Sequence, residues 1–480
     1  MILEITLIVM PFVLALVCVF VKTPRVYKIT MLTASLSHIV LTLSLPFYKV
    51  KEGMAFGADS LSYVFLMILT LLYLASTINS IHFIENMQKR GHIDLWYVPS
   101  MLLFLSSMTG VILSRNLGMM WVFIEATTLS SAALINHRRD REAVEAVWKY
   151  LFICSIGIAF AFIGVMALIA ASKNVEHVGL NIDKLVQHAA QLSPQWLGIG
   201  FVFALIGYGT KMGLAPMHTW LPDAHSQAPS PASALFSGSL LNCAFLAILR
   251  YYQIMSKTNM ITTAKDLLLI LGLLSLLVCA VYINRVPNFK RKLAYSSIEH
   301  VGILATGIGL GGGALYAAML HAVCHSLSKH LMFLTSGNIL HSYLTVDADK
   351  VKNMINRLPA TSWLLMLGAF ALLGFPPFGA FISEFLTIKE MALQGRWYML
   401  TIFVILIAAV SYGMIKAVIE MVFSPKEDFT DEGAKDHSEP LLSIAPQWVF
   451  IAALLVLGIY IPEPIDRLFR NAAFFLIGGF

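Results

Sequence analysis

The chain has 480 residues, 58% of them apolar and 12% charged, with a formal net charge of +6. Apolar runs of about 20 residues, each long enough to cross a hydrocarbon core, recur along its whole length, which excludes a soluble enzyme. The positive charge sits mainly in short loops between those runs, so it orients a membrane protein and does not mark a nucleic-acid binder.

About fourteen runs are predicted as transmembrane helices. They cover residues 3 to 21, 26 to 46, 58 to 84, 95 to 114, 116 to 135, 147 to 171, 197 to 220, 229 to 252, 266 to 284, 293 to 311, 314 to 341, 360 to 392, 397 to 423 and 445 to 462. The first opens on Glu4 without a basic leader or a small-residue cleavage pattern and is read as a retained helix. The five cysteines fall in apolar runs with no Cys-x-x-Cys spacing, so no disulfide framework, metal cage or other cofactor is expected in this chain. Basic groups cluster after odd-numbered segments, at Lys22, Arg25 and Lys28, at Arg138, Arg139 and Arg141, at Arg285 and Lys290 to Lys292, and at Lys350, Lys352 and Arg357. By the positive-inside rule those loops are cytoplasmic and both termini lie outside, in a bacterial or archaeal cell membrane.

Segment 5 carries Glu125 and segment 7 carries Lys211, each isolated in an apolar run. A lone charge at the bilayer centre costs roughly 3 kcal/mol on translocon scales, so it persists only where it is paired or hydrated. The two are read as partners: at about 4 Å and an effective dielectric near 20 the carboxylate would stabilise the ammonium by roughly 4 kcal/mol, and its withdrawal would release the proton.

Lys211 also stands at an interruption, Gly207-Tyr-Gly-Thr-Lys211-Met-Gly213-Leu-Ala-Pro216, and segment 12 holds another, Gly374-Phe-Pro376-Pro377-Phe-Gly379. Gly/Pro-interrupted spans at matching places predict an inverted repeat of segments 4 to 8 (residues 95–252) and 9 to 13 (residues 266–423). Helices 1 to 3 (residues 1–94) precede it, and a polar cytoplasmic loop (424–444) and a last helix with its tail (445–480) follow. Broken helices are tolerated at that depth where they line a cavity or face protein. The general richness of membrane helices in Gly and Pro is the alternative. Lys211 in segment 7 is matched by Glu384 in segment 12, and Asn242 in segment 8 by Lys416 in segment 13.

The link after Lys211 contains His218, Asp223 and His225 among four prolines, which suits either a hydrated mouth or a rigid connection. Segment 11 reads His321-Ala-Val-Cys-His325-Ser-Leu-Ser-Lys329, three titratable groups every four residues and so along one helical stripe. Such a stripe suits a proton relay, because imidazole titrates near neutrality and a desolvated lysine falls toward the working range. A metalloprotease-type zinc helix needs Glu after its first His, and Ala322 stands there. Packing histidines are the other alternative. Glu384, eight residues past Pro376, is placed to pass a proton outward. Gly307-Ile-Gly309-Leu-Gly311-Gly312 fits a dinucleotide fingerprint in letters only, since it joins two membrane helices with no strand before it.

The run Gly209 to His225 resembles the signature of the antiporter-like subunits shared by respiratory complex I, Mrp cation/proton antiporters and membrane-bound hydrogenases. Trp121-Val-Phe-Ile-Glu125-Ala-Thr-Thr-Leu, Leu293-Ala-Tyr-Ser-Ser-Ile-Glu299-His300-Val-Gly302 and the segment-11 stripe support it. The resemblance implies a fourteen-helix all-α bundle, a buried Glu125–Lys211 pair, His300, His321, His325 and Lys329 on a central hydrophilic axis, and Glu384 as the terminal carboxylate. Asn242 stands where many relatives have lysine, which is similar to component-F subunits of hydrogenase-4-type complexes, and the chain lacks the long lateral helix of L-type subunits.

The implied function is proton or Na⁺ translocation within a hydrogenase-4-like or formate-hydrogenlyase-like membrane oxidoreductase, beside other membrane subunits and without redox chemistry in this chain. A complex I or Mrp subunit, or a structural anchor with a vestigial path, are the alternatives.

Overall fold

Every predicted segment is helical in the computed structural model, which describes residues 2–48, 54–89, 94–175, 178–425 and 439–477. Where no water reaches the backbone, a helix satisfies its own N–H and C=O groups, so a chain of this hydropathy is driven to helices throughout. The N-terminal part forms α1 (Ile2–Phe20), α2 (Pro24–Ser44) and α3 (Ser60–Lys89). The first half continues with α4 (Tyr97–Leu113), α5 (Leu117–Ile135), α6 (Arg141–Ala171), the short α7 (Ile182–Gln187), α8 (Pro194–Met212), α9 (Trp220–Gln227), α10 (Ser230–Leu235) and α11 (Leu241–Met255). The second half holds α12 (Ile261–Tyr282), α13 (Phe289–Leu310), α14 (Ala314–Tyr343), the one-turn α15 (Met354–Arg357), α16 (Pro359–Leu372), α17 (Gly379–Leu393) and α18 (Trp397–Phe423). The chain closes with α19 (Leu441–Ile459) and α20 (Glu463–Leu476). Most of the polar loop expected at 424–444 lies outside the described residues.

Nine helices among the described residues are long and apolar enough to cross a membrane, and α4 and α16 are shorter apolar helices. The helices α13 and α14 fall outside that set although they are buried along most of their length. A helix enclosed by other helices needs no lipid-compatible surface, so it tolerates the Lys, His, Glu and Ser residues that lower its hydropathy. By contrast α1, α2, α18 and α19 turn Val, Ile, Leu and Phe side chains outward. Small residues bring helices close: Gly164 of α6 lies on Gly200 of α8, and Gly272 of α12 lies on Gly302 of α13.

Both predicted interruptions are real breaks. Helix α8 ends on Gly213 at φ 87°, whose N–H bonds back to Gly209 at 2.9 Å, and the chain restarts as α9. Helix α16 ends before Gly374 at φ 65°, and Phe375 N–H returns to Phe370 at 3.0 Å before α17 begins. Left-handed backbone is open to glycine without steric cost, which is why each break carries one.

Two features have no counterpart in the sequence reading. Residues 463–476, expected as a tail, form α20, because Leu468, Phe469, Ala472 and Leu476 share one face and pack on the core while Arg467 and Arg470 stay outside. At one end of the bundle Asp59 accepts from the buried Arg250 of α11 at 2.9 Å and from Arg115 at 3.1 Å, and Arg115 also pairs with Asp183. Burial alone would raise the Asp59 carboxyl, but the two guanidinium groups outweigh it and hold it below the usual carboxylate range. Removing one partner of a buried pair strands the other charge, so Asp59→Ala should cost about 3–5 kcal/mol, read as a lower thermal midpoint of the chain in detergent.

Candidate functional site

Lys211 occupies the last turn of α8, just before the break, and is 1% exposed. Its ammonium donates to Tyr150 Oη of α6 at 2.5 Å and to Thr128 Oγ1 of α5 at 2.9 Å. Tyr150 Oη lies 2.5 Å from Ser131 Oγ, and the Trp220 ring covers Tyr150 at 5.0 Å between centroids. Trp220 is fixed in turn by its Nε1–H donating to Thr210 O at 2.8 Å. The lysine is therefore solvated by hydroxyl groups, and no carboxylate completes its shell.

The expected ion pair with Glu125 is not formed. Glu125 is half-buried on α5 beside α6, where Ser155 donates to it at 3.5 Å, and its Oε2 has no hydrogen-bond partner. Thr128 lies one turn further along the same helix face and takes the place at the ammonium.

His218 lies buried in the break after Lys211. His225 of α9 is fully buried and stacks on Phe333 of α14 at 5.0 Å. Between α10 and α11 the chain makes one π-helical turn, Phe236–Leu240. Such turns shift the register of side chains, and this one aims two polar groups at the second half. Ser237 Oγ meets Ser297 Oγ of α13 at 2.8 Å, and Asn242 Nδ2 donates to Ser326 Oγ of α14 at 2.7 Å. Asn242 thus ties α11 to α14, where Ser326 is adjacent in sequence to His325.

The stripe faces α13. His321 Nε2 is 3.0 Å from His300 Nδ1, and the His325 ring centroid is 4.8 Å from that of His300. Lys329 donates to Leu293 O at 2.7 Å and to Ser296 Oγ. On the far side His321 Nδ1 meets Ser383 Oγ of α17 at 2.9 Å, adjacent in sequence to the buried Glu384. The Glu384 carboxylate rests against Gly374, where any β-carbon would displace it. Glu299, 2% exposed with its Oε2 unpartnered, interacts electrostatically with both Lys329 and Glu384.

Lys416 stands apart: it lies on an exposed face of α18 and is not brought to these groups. Lys149 of α6 pairs with Glu145 at 2.6 Å and with Asp223 at 3.3 Å. Arg291 also pairs with Asp223, so the link after Lys211 is pinned at its middle. Sequence reasoning missed Thr128, Tyr150, Ser383 and Glu299 as members of the site. Glu299 had a signal, being a second carboxylate next to His300 in an otherwise apolar segment.

The buried polar groups thus lie in three clusters, the Lys211 niche, the Asn242–Ser326 contact and the imidazoles beside Ser383 and Glu384, and both ring nitrogens of His325 lack a hydrogen-bond partner.

Residues 114–410 match the family described as NADH:quinone oxidoreductase/Mrp antiporter, TM. The chain is 34% identical over 455 residues to a hydrogenase-4 component F homolog from Methylacidiphilum infernorum, covering 92% of this chain and 93% of that one. Its fold is shared with a chain of the membrane-bound sulfane sulfur reductase, an archaeal respiratory membrane complex, at TM-score 0.87, 22% identity and coverage of 99% and 97%. It is shared also with a chain of the Mrp complex from Dietzia sp. DQ12-45-1b, at TM-score 0.85, 19% identity and coverage of 100% and 98%. The family match spans more than half of the chain and includes both breaks, so the protein belongs to the NADH:quinone oxidoreductase/Mrp antiporter transmembrane family.

Proposed function

We propose that this protein is the proton-translocating, antiporter-like subunit of a multi-subunit membrane oxidoreductase of the hydrogenase-4 kind, driven by electron transfer in other subunits. The observation that carries the reading is the set of buried polar groups Lys211, Asn242, His325, His300, His321 and Glu384, which lie between two broken helices inside an apolar bundle. A purely structural anchor gains nothing from placing these groups in low dielectric, where each costs free energy unless it exchanges protons or is paired.

The two breaks support division into inverted repeats over residues 95–252 and 266–423, with α8–α9 and α16–α17 as equivalent discontinuous helices. Fourteen crossings, with the basic loops after odd-numbered segments on the cytoplasmic side, put both termini outside. Glu125 gives the partner side. Glu125 is half-buried with one buried, unpartnered oxygen, and the residues around it, Val122, Leu129 and Phe152, face outward, so this face of α5 and α6 is the side we assign to another membrane subunit.

Membrane vesicles bearing the complex and supplied with its electron donor should build a proton gradient in Na⁺-free medium, collapsed by a protonophore. The variant His325→Leu, which replaces the ring nearest His300 with an apolar group of similar bulk, should assemble, transfer electrons and build almost no gradient. A gradient that requires Na⁺, or one unchanged in His325→Leu, would count against the reading.

A further inference from the structure

The imidazole cluster holds a donor set of a second kind. One nitrogen each from His300 and His321 and a carboxylate oxygen of Glu384 all lie within 4.8 Å of one another, and all three residues are buried. They come from three helices, α13, α14 and α17, so no local motif announces them. We propose that these three side chains form a Zn²⁺ site that closes the outward end of the path. Binding of the ion does not depend on the translocation reading; only the closure rests on it.

Two imidazoles and one carboxylate with a fourth position left for water is a donor set that suits Zn²⁺, whereas Ca²⁺ and Mg²⁺ favour oxygen ligands. Ser383 Oγ donates to Ala380 O and so accepts from Nδ1–H of His321, which leaves Nε2 with a lone pair, and that Nε2 lies 3.0 Å from Nδ1 of His300. Two nitrogens bound tetrahedrally at 2.0–2.1 Å stand about 3.3 Å apart, so an ion would replace the proton shared by the two rings, with His300 taking its Nε2–H tautomer and the rings turning to aim both lone pairs at it. Glu384 and its electrostatic neighbour Glu299 bring two carboxyl groups toward the ion, and Lys329 acts against it. An ion there takes the lone pairs through which His300, His321 and Glu384 would pass a proton.

The full chain in detergent can be titrated with Co²⁺, whose visible absorption reports tetrahedral coordination, and then with Zn²⁺ to displace it. One equivalent of tetrahedral Co²⁺ is expected, lost in His321→Gln and in Glu384→Gln and unchanged in His188→Gln. Ser383→Ala, which keeps all three ligands and removes only the orienting hydroxyl, should weaken binding roughly 10- to 100-fold. Octahedral Co²⁺ only, or affinity unchanged in both His321→Gln and Ser383→Ala, overturns the site. In vesicles, Zn²⁺ should stop gradient formation in the wild type. Binding that survives these controls without slowing the gradient leaves the site standing and overturns the path through it.

Discussion

Lys211→Met should abolish gradient formation while leaving the protein as stable as before or more so. A residue kept for packing or assembly would give the reverse pattern. The ammonium is 1% exposed and has two hydroxyl partners, Tyr150 and Thr128, but no carboxylate at bonding distance. A buried charge compensated only by neutral dipoles lowers stability, and replacing buried charges with apolar groups of similar shape is neutral or favourable by about 1–4 kcal/mol. Methionine matches the lysine stem in length and flexibility, so the cavity stays filled. Tyr150 keeps Ser131 as a partner at 2.5 Å, so the change leaves its hydroxyl paired. What methionine cannot do is hold or release a proton.

The measurements are the vesicle gradient, electron transfer to an artificial acceptor, and the thermal midpoint of the purified chain. Translocation that persists in an assembled Lys211→Met complex would remove the lysine from the path. The arginine variant sharpens the point, since Lys211→Arg keeps the charge but does not deprotonate in proteins. It should fail as completely as methionine, which would separate a carrier from a fixed charge.

How much of this was legible in the sequence depends on whether the signal is local. The stripe of His321, His325 and Lys329 follows from helical periodicity alone, and the structure sets it on one face, toward α13. Both breaks were legible because Gly213 and Gly374 leave a chemical mark at the turn itself. The Lys211 niche was not, because Thr128 and Tyr150 look like ordinary membrane-helix residues until a third helix brings the ammonium to them. Two lone opposite charges suggested a pair, but the helix face that bears Glu125 also bears Thr128 a turn closer. The meeting of His300, His321 and Glu384 was out of reach for the same reason, since residues 300, 321 and 384 share no spacing. The π turn at Phe236–Leu240 is a backbone choice that Phe-Ser-Gly-Ser-Leu does not announce, yet it decides that Asn242 reaches Ser326.

Glu384→Gln should slow translocation by roughly 10²-fold or more, the scale on which positioned acid–base groups act. Glutamine reproduces the size of the side chain and its fit against Gly374, so the helix break and the Ser383–His321 contact have no reason to change. It offers an amide in place of a group that titrates, which leaves His321 with no acceptor beyond it. Glu384→Asp keeps the titrating group but draws it back by one methylene, away from the imidazoles, and should fall between glutamine and wild type. Wild-type rates in the glutamine variant would show that protons leave elsewhere.

The double variant Lys211→Met with Glu384→Gln tests the connection itself. If both residues lie in series on one path, the second change removes nothing the first has left, and the double variant matches the worse single one. Two independent parallel routes would instead leave each single variant with the flux of the other route, and only the double variant would lose both. A double variant no worse than Lys211→Met alone is the expected result, because the proposed path places both residues in series.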